Sequence, residues 1–225
     1  MSEALRLVIF DVDGTLVDSQ GDILAAMASA FSSVGAACPS REAVLGIVGL
    51  SLDVAMPKLA PDQSAAIHDQ LVDAYKDAYM TLRAQTGAAE SSPLYPGALD
   101  VLHTLNAQDN VLLGVATGKS RRGLDKLLEG HDLTSVFVTE QVADFHPSKP
   151  HPSMVMAALA ETGVAPEHAV MVGDTSFDMA MAKAAGVRGI GVSWGYHDIG
   201  ALGDADCVID AFGDLPRTLD LMWEL

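Results

Sequence analysis

Cysteine is nearly absent: Cys38 and Cys207 are the only two in 225 residues. Two thiols cannot build a disulfide framework, and their spacing fits no metal motif, so both read as ordinary buried thiols. Positive charge is scarce as well, with 13 Lys and Arg against 30 Asp and Glu and a net charge of −17. That balance excludes nucleic acid and anionic membrane surfaces as partners, because an acidic surface repels both. An anionic substrate therefore needs a local positive site against an unfavourable overall field. No apolar run approaches the ~20 residues that span a bilayer. Glu3 and Arg6 lie beside the first strand candidate with no signal-peptide pattern, so the expected setting is the cytoplasm. Internal repeats and low-complexity tracts are missing too.

What is present is a well-buried composition, 49% hydrophobic and 19% charged, long enough for one substantial core and a smaller insert. Short aliphatic runs mark strand candidates at Leu5–Phe10, Val111–Ala116, Val136–Thr139, Ala169–Val172 and Val187–Val192. Helical patterns at Ala98–Asn106, Arg121–Glu129, Ser153–Thr162 and Ser176–Ala185 separate the later ones. This alternation predicts an α/β fold, a Rossmann-like parallel sheet with helices on both faces. Between the first two strands the pattern is purely helical. Ile23, Leu24, Met27, Phe31 and Val34 share one face, as do Ile67, Leu71, Ala74, Tyr75, Ala78 and Leu82, while Pro57 and Pro61 separate shorter pieces. The expected division is a core of residues 1–16 and 87–225 with an inserted all-helical cap over 17–86, a natural hinged lid.

The chemistry concentrates where strands end. Residues 8–19 run Val-Ile-Phe-Asp-Val-Asp-Gly-Thr-Leu-Val-Asp-Ser, an apolar strand leading into two aspartates. Strand alternation puts Asp11 and Asp13 on one side, where each loses solvation and repels the other. A divalent cation is the simplest compensation, since carboxylates are natural Mg²⁺ ligands; an Asp-Gly turn is the plain alternative. Thr117-Gly118-Lys119 follows the second core strand and offers a hydroxyl and an amide to an anion, or simply a helix cap. Lys149 sits in Ser-Lys-Pro-His-Pro, a segment that prolines stiffen. Gly173-Asp174-Thr175-Ser176-Phe177-Asp178 closes a fourth strand with two more acids, of which Asp174 is also a candidate helix cap. His146 and His151 flank Lys149 and read as loop structure rather than a metal site. Trp194-Gly195-Tyr196-His197 follows the last core strand near where the site opens.

These four segments, in this order, resemble the motifs of the haloacid dehalogenase-like (HAD) superfamily, and the resemblance covers essentially the whole chain. The insert resembles the cap of the subfamily that includes phosphoglycolate phosphatase. The resemblance implies a Mg²⁺-dependent phosphatase working through an aspartyl-phosphate. Asp11 would be the nucleophile and Asp13 the general acid and base. Thr117 and the Gly118 amide would hold phosphoryl oxygens, and Lys149 would offset their charge. Asp174 would join Asp11 and the Asp13 carbonyl around Mg²⁺, with Asp178 directly on the metal or behind it. The cap loop Ile47-Val48-Gly49-Leu50-Ser51 would face the site, with Gly49 and Leu50 against the substrate.

Within the superfamily, Asp13 argues against dehalogenase and phosphonatase chemistry, although a cap lysine, Lys58, is present. β-Phosphoglucomutase keeps both aspartates; its cap loop carries an arginine where this chain offers Leu52, unless Arg41 or Lys58 substitutes. A receiver domain of signalling proteins also combines Asp, Thr and Lys, but lacks the paired aspartates and the long insert. The insert itself holds eight acids (Asp18, Asp22, Glu42, Asp53, Asp62, Asp69, Asp73, Asp77) against four bases (Arg41, Lys58, Lys76, Arg83). It therefore shows no obvious pocket for a second anion. The expected substrate is a small phosphorylated metabolite, and the expected oligomeric state a monomer or weak homodimer.

Overall fold

The computed structural model describes residues 4–224, so Glu3 lies outside the described residues. The chain opens with β1 (Arg6–Phe10), followed by α1 (Gln20–Ser33), α2 (Arg41–Leu45), α3 (Leu52–Leu59), α4 (Ala65–Thr86) and α5 (Ala88–Ser91). Then come α6 (Ala98–Asn106), β2 (Val111–Thr117), α7 (Arg121–Gly130), β3 (Thr139–Val142), α8 (Ser153–Thr162) and β4 (Ala169–Gly173). The chain closes with α9 (Ser176–Ala184), β5 (Arg188–Val192), β6 (Cys207–Ile209) and α10 (Leu215–Trp223). The six strands form one parallel sheet in the order β3-β2-β1-β4-β5-β6. The expected α/β fold is present.

Alternation along β1 explains the layers. Val8 and Phe10 enter one core, shared with Leu102 of α6, Leu127 of α7 and Leu219 of α10. Leu7 and Ile9 enter the other, shared with Met154 of α8 and Met181 of α9. A strand covered on both sides reads as a continuous apolar run, which is why it was easy to find. A third cluster (Ile23, Met27, Phe31, Val44, Met56, Leu71 among others) belongs to the helical segment alone. The two crossings between segment and sheet run side by side. Val17 pairs antiparallel with Leu94, the Asp18 amide donates to the Pro93 carbonyl at 2.9 Å, and the Tyr95 amide to the Leu16 carbonyl at 2.9 Å.

Four local expectations are corrected. The third strand starts at Thr139, where the one expected at Val136–Thr139 ends. Val136 and Phe137 are buried, but as loop residues packed on the core, while the strand carries Thr139 and Gln141 bound to Glu161. Pro57 does not separate helical pieces; it lies inside α3 near its end, where little helix remains to disrupt. Strand β6 and helix α10 escaped notice, the strand because three residues are too few to show a period. Cys38 is exposed in the loop between α1 and α2 and Cys207 only half-buried, so the thiols are free but not core residues. Among the described residues no helix is long and apolar enough to cross a membrane.

Candidate active site

The carboxyl ends of β1, β2 and β4 meet at one point, the place where open parallel sheets bind ligands. Asp11 follows β1 directly, its amide donating to the Val172 carbonyl at 2.9 Å, and it is 1% exposed. Lys149 arrives from the loop before α8 and is equally buried, a rare position for a lysine without partners. Its Nζ stands 2.7 Å from Asp11 Oδ1 and 2.7 Å from Asp178 Oδ1. The contact to Asp178 is a hydrogen bond; that to Asp11 is an ion pair without hydrogen-bond alignment. Neither Asp11 carboxylate oxygen accepts an aligned hydrogen bond, so the Lys149 ammonium is what compensates this buried charge.

Asp174 is free for the site because its neighbour caps the helix. Thr175 is the N-cap of α9, and it forms a reciprocal capping box with Asp178. Asp174 instead accepts Thr15 Oγ1 at 2.9 Å and the Tyr196 amide at 2.8 Å. One carboxylate oxygen each from Asp11, Asp174 and Asp178 lies within 4.8 Å of the others. Burial pushes Asp11 up to about 7, against the pull of Lys149, and Asp178 adds to the rise. Burial, then the charges of Asp11 and Asp178, holds Asp174 well above the carboxylate range. Burial pulls the Lys149 ammonium down, but Asp11 and Asp178 outweigh it and leave it above the usual lysine value. Three mutually repelling buried carboxylates, one without a donor, suit a small hard cation. The residues present therefore fit Mg²⁺, with both Asp11 oxygens free of hydrogen bonds, each Asp174 oxygen accepting one, and Asp178 committed to Lys149 and Thr175.

The Trp194–His197 loop presses directly on this cluster. Trp194 Nε1 donates to the Thr15 carbonyl at 3.1 Å, and a Cβ placed on Gly195 would fall 2.0 Å from Asp174 Cβ. Gly195→Ala must displace either the loop or Asp174. It is expected to weaken Mg²⁺ binding about tenfold or more, read by titration calorimetry. A variant binding Mg²⁺ as tightly as the parent would show that Asp174 does not hold the metal.

Asp13 occupies the next position and is held by groups that the sequence did not reveal. Ser19 Oγ donates to its Oδ1, and Lys119 Nζ approaches the same oxygen at 2.7 Å. Ser19 precedes α1 yet makes no side-chain cap, so its hydroxyl is available. Tyr196 accepts the Ser19 amide at 2.9 Å through its hydroxyl, tying the start of α1 to the loop over Asp174. Lys119 stands immediately after Thr117-Gly118 at a strand end, a signal that could have identified it. Thr117 is buried at the tip of β2, and its hydroxyl accepts the Lys119 amide at 3.2 Å.

The cap loop reaches the same point. A Cβ on Gly118 would fall 2.7 Å from the Gly49 carbonyl oxygen, so the loop rests directly on the phosphate-side turn. The Ser51 amide also donates to Ser148 Oγ at 2.9 Å, beside Lys149. A cavity of about 1030 Å³ opens here between the helical segment and the sheet, with Asp11, Asp13, Thr117, Gly118, Gly49 and Leu50 on its wall. Arg41 and Lys58 do not line it, whereas Lys76, Arg83, Lys119, Arg122 and Lys126 do. Three of these five cations come from the core, outside the insert, and Asp73, Asp77, Glu129 and Asp144 share the wall with them. His146 donates from Nε2 to Gln141 at 2.8 Å and pairs with Ser153 at 2.8 Å, so it braces the loop. His151 accepts the Ser153 amide at 3.2 Å and has the same role.

The arrangement offers a carboxylate free of aligned hydrogen bonds, a buried ammonium, a cluster for a divalent cation, and a second carboxylate beside them. Comparison with known proteins agrees in kind. A family profile described as haloacid dehalogenase-like hydrolase matches residues 8–192. A probable phosphatase, IndB, of Dickeya dadantii is 35% identical, over 93% of this chain and 91% of that protein. A phosphoglycolate phosphatase of Salmonella choleraesuis is 30% identical, over 96% of this chain and 93% of that protein. The crystal structure of a β-phosphoglucomutase from Clostridium difficile superposes with a TM-score of 0.83, covering 98% of this chain and 97% of that one. At 17% identity it shares the fold alone.

Proposed function

The chain belongs to the haloacid dehalogenase-like hydrolase family, and from that premise we propose that it is a Mg²⁺-dependent phosphatase of small phosphorylated acids resembling phosphoglycolate. The observation that carries this is Asp11, a buried carboxylate with no hydrogen-bond donor on either oxygen, set beside Lys149 in the wall of a cavity. An Asp11 oxygen attacks phosphorus, and the bond to the ester oxygen breaks. Asp13 gives its proton to the departing alcohol. It then takes a proton from the water that attacks the aspartyl-phosphate, which releases inorganic phosphate and restores Asp11. Thr117 and the Gly118 amide hold phosphoryl oxygens, and Lys149 offsets the charge that gathers on them. Asp11, Asp174 and the Asp13 carbonyl would hold Mg²⁺, with Asp178 behind them, and the ion would supply the charge that lets a carboxylate and a phosphate dianion share the site. We place the enzyme in the cytoplasm as a monomer or weak homodimer.

The test is a panel of phosphate esters with Mg²⁺ in which esters of acidic alcohols should release phosphate faster than esters of neutral ones. Interconversion of sugar-phosphate isomers without net release would instead make it a mutase. A long-lived aspartyl-phosphate without turnover would make it a receiver. Metal binding should carry its own signature. Protons compete for Asp11, whose pKa stands at about 7, so Mg²⁺ affinity should fall about tenfold per pH unit below that value. Calorimetry between pH 8 and pH 6 reads this directly (both pH values being about one unit from the titration). An affinity that does not change with pH would remove Asp11 from the metal site.

A further inference from the structure

Of the 13 Lys and Arg in this acidic chain, five line the cavity over Asp11: Lys76, Arg83, Lys119, Arg122 and Lys126, with Asp73, Asp77, Glu129 and Asp144 also on its wall. Two are already neutralised, Lys119 by Asp13 at 2.7 Å and Lys126 by Glu129 at 2.6 Å. Among the described residues Arg83, Arg122 and Lys76 pair with no carboxylate. Arg83, near the end of α4, reaches across to the core. It donates from Nη1 to the Gly123 carbonyl at 3.1 Å and from Nη2 to Ser92 Oγ at 3.4 Å, while its Nε is buried with no acceptor. A buried donor without a partner is costly, and an anion relieves it.

The Tyr79 ring lies beside both Arg83 and Lys119, and its hydroxyl accepts from Lys119 Nζ at 3.2 Å. Lys119 Nζ lies 5.1 Å and Arg83 Cζ 5.3 Å from its centroid, and Tyr75 stacks on it at 5.8 Å. Met27 and Leu50 add apolar wall. A two-carbon phosphorylated acid carries its carboxylate next to the ester oxygen and fills little of this space. The cavity, at about 1030 Å³, is also far larger than such a molecule needs.

We infer that the substrate is a phosphate monoester whose alcohol has a planar or apolar body, lying along Tyr75 and Tyr79, and ends in a second anion held by Arg83 and Arg122. The anion is a carboxylate or a phosphate, and Arg83 is the specificity-determining residue. This rests on the phosphatase reading and narrows it to acids longer than phosphoglycolate.

The experiment compares para-carboxymethylphenyl phosphate with its uncharged carboxamide, binding each to the inert Asp11→Asn protein by calorimetry. The acid should bind about tenfold tighter or better, since a charge-assisted contact is gained. Arg83→Gln should bring the two affinities within about twofold of each other, and Arg83→Lys should restore most of the preference. A third ester ending in a phosphonate separates the anions: tighter binding than the acid identifies phosphate, weaker identifies carboxylate. Equal affinities in the parent, a preference that survives Arg83→Gln, or loss in both variants alike would overturn the inference. Failure of the phosphatase reading would look different: no phosphate release from either ester by the wild-type protein with Mg²⁺, with the affinity preference intact.

Discussion

Asp11→Asn is expected to lower phosphate release by at least about four orders of magnitude while the protein stays folded. An amide cannot form the phosphoryl ester, and no other carboxylate can take over. Asp174 is held by Thr15 and Tyr196, and Asp178 by Lys149 and Thr175. The same substitution should leave a trace in stability. Burial lifts Asp11 from its ordinary 3.8 to about 7, so the metal-free fold binds a proton that the unfolded chain has already released. Stability conferred by that proton is present at low pH and is lost as pH rises through this window. Asp11→Asn should flatten that part of the pH–stability curve. Metal-dependent turnover within about tenfold of wild type would remove Asp11 from the reaction.

Lys149→Met should be the most damaging single change to the fold of the site. The side chain is fully buried and serves Asp11 and Asp178 together, so an apolar replacement of similar length leaves two buried carboxylates uncompensated. Breaking such an arrangement costs about 3–5 kcal/mol, and losing the charge beside the phosphoryl group costs about three orders of magnitude in turnover. The sign with pH follows from the partners. The Lys149 ammonium is held above its usual value, so its contribution is complete through neutrality and is lost only in strong alkali. Asp11, deprived of the lysine, can escape its charge by taking a proton in acid. The destabilisation should therefore be larger in alkali than in acid, with Asp11 titrating higher than in the wild type because Lys149 no longer pulls it down. Urea unfolding in acid and in alkali measures it. A variant as stable as wild type in alkali would mean that the three charges do not depend on one another.

The residues legible from sequence share a position: each follows an apolar strand within a residue or two, as Asp11, Thr117 and Asp174 do. Local order was enough to find them because a strand end dictates where the next side chain points. Lys149 stood out only through its prolines. What stayed hidden depends on contacts between distant segments. Lys119 meets Asp13 across 106 positions, and Tyr196 meets Ser19 across 177. The cations of the cavity stayed hidden for a related reason. Counting charges within residues 17–86 could not include Lys119, Arg122 and Lys126, which the core lends to the same cavity. Hydropathy misplaced β3 because Val136 and Phe137 are buried without being strand.

The paired crossings at Val17 and Leu94 tie the entry and the exit of the helical segment to each other. One antiparallel bridge and two amide–carbonyl bonds join them, so neither can slide along the other without breaking those bonds. Val17 also bridges Asp13, on the cavity wall. The register in which the Gly49 carbonyl meets Gly118 and the Ser51 amide meets Ser148 is therefore anchored at the root of the segment as well as at its tip.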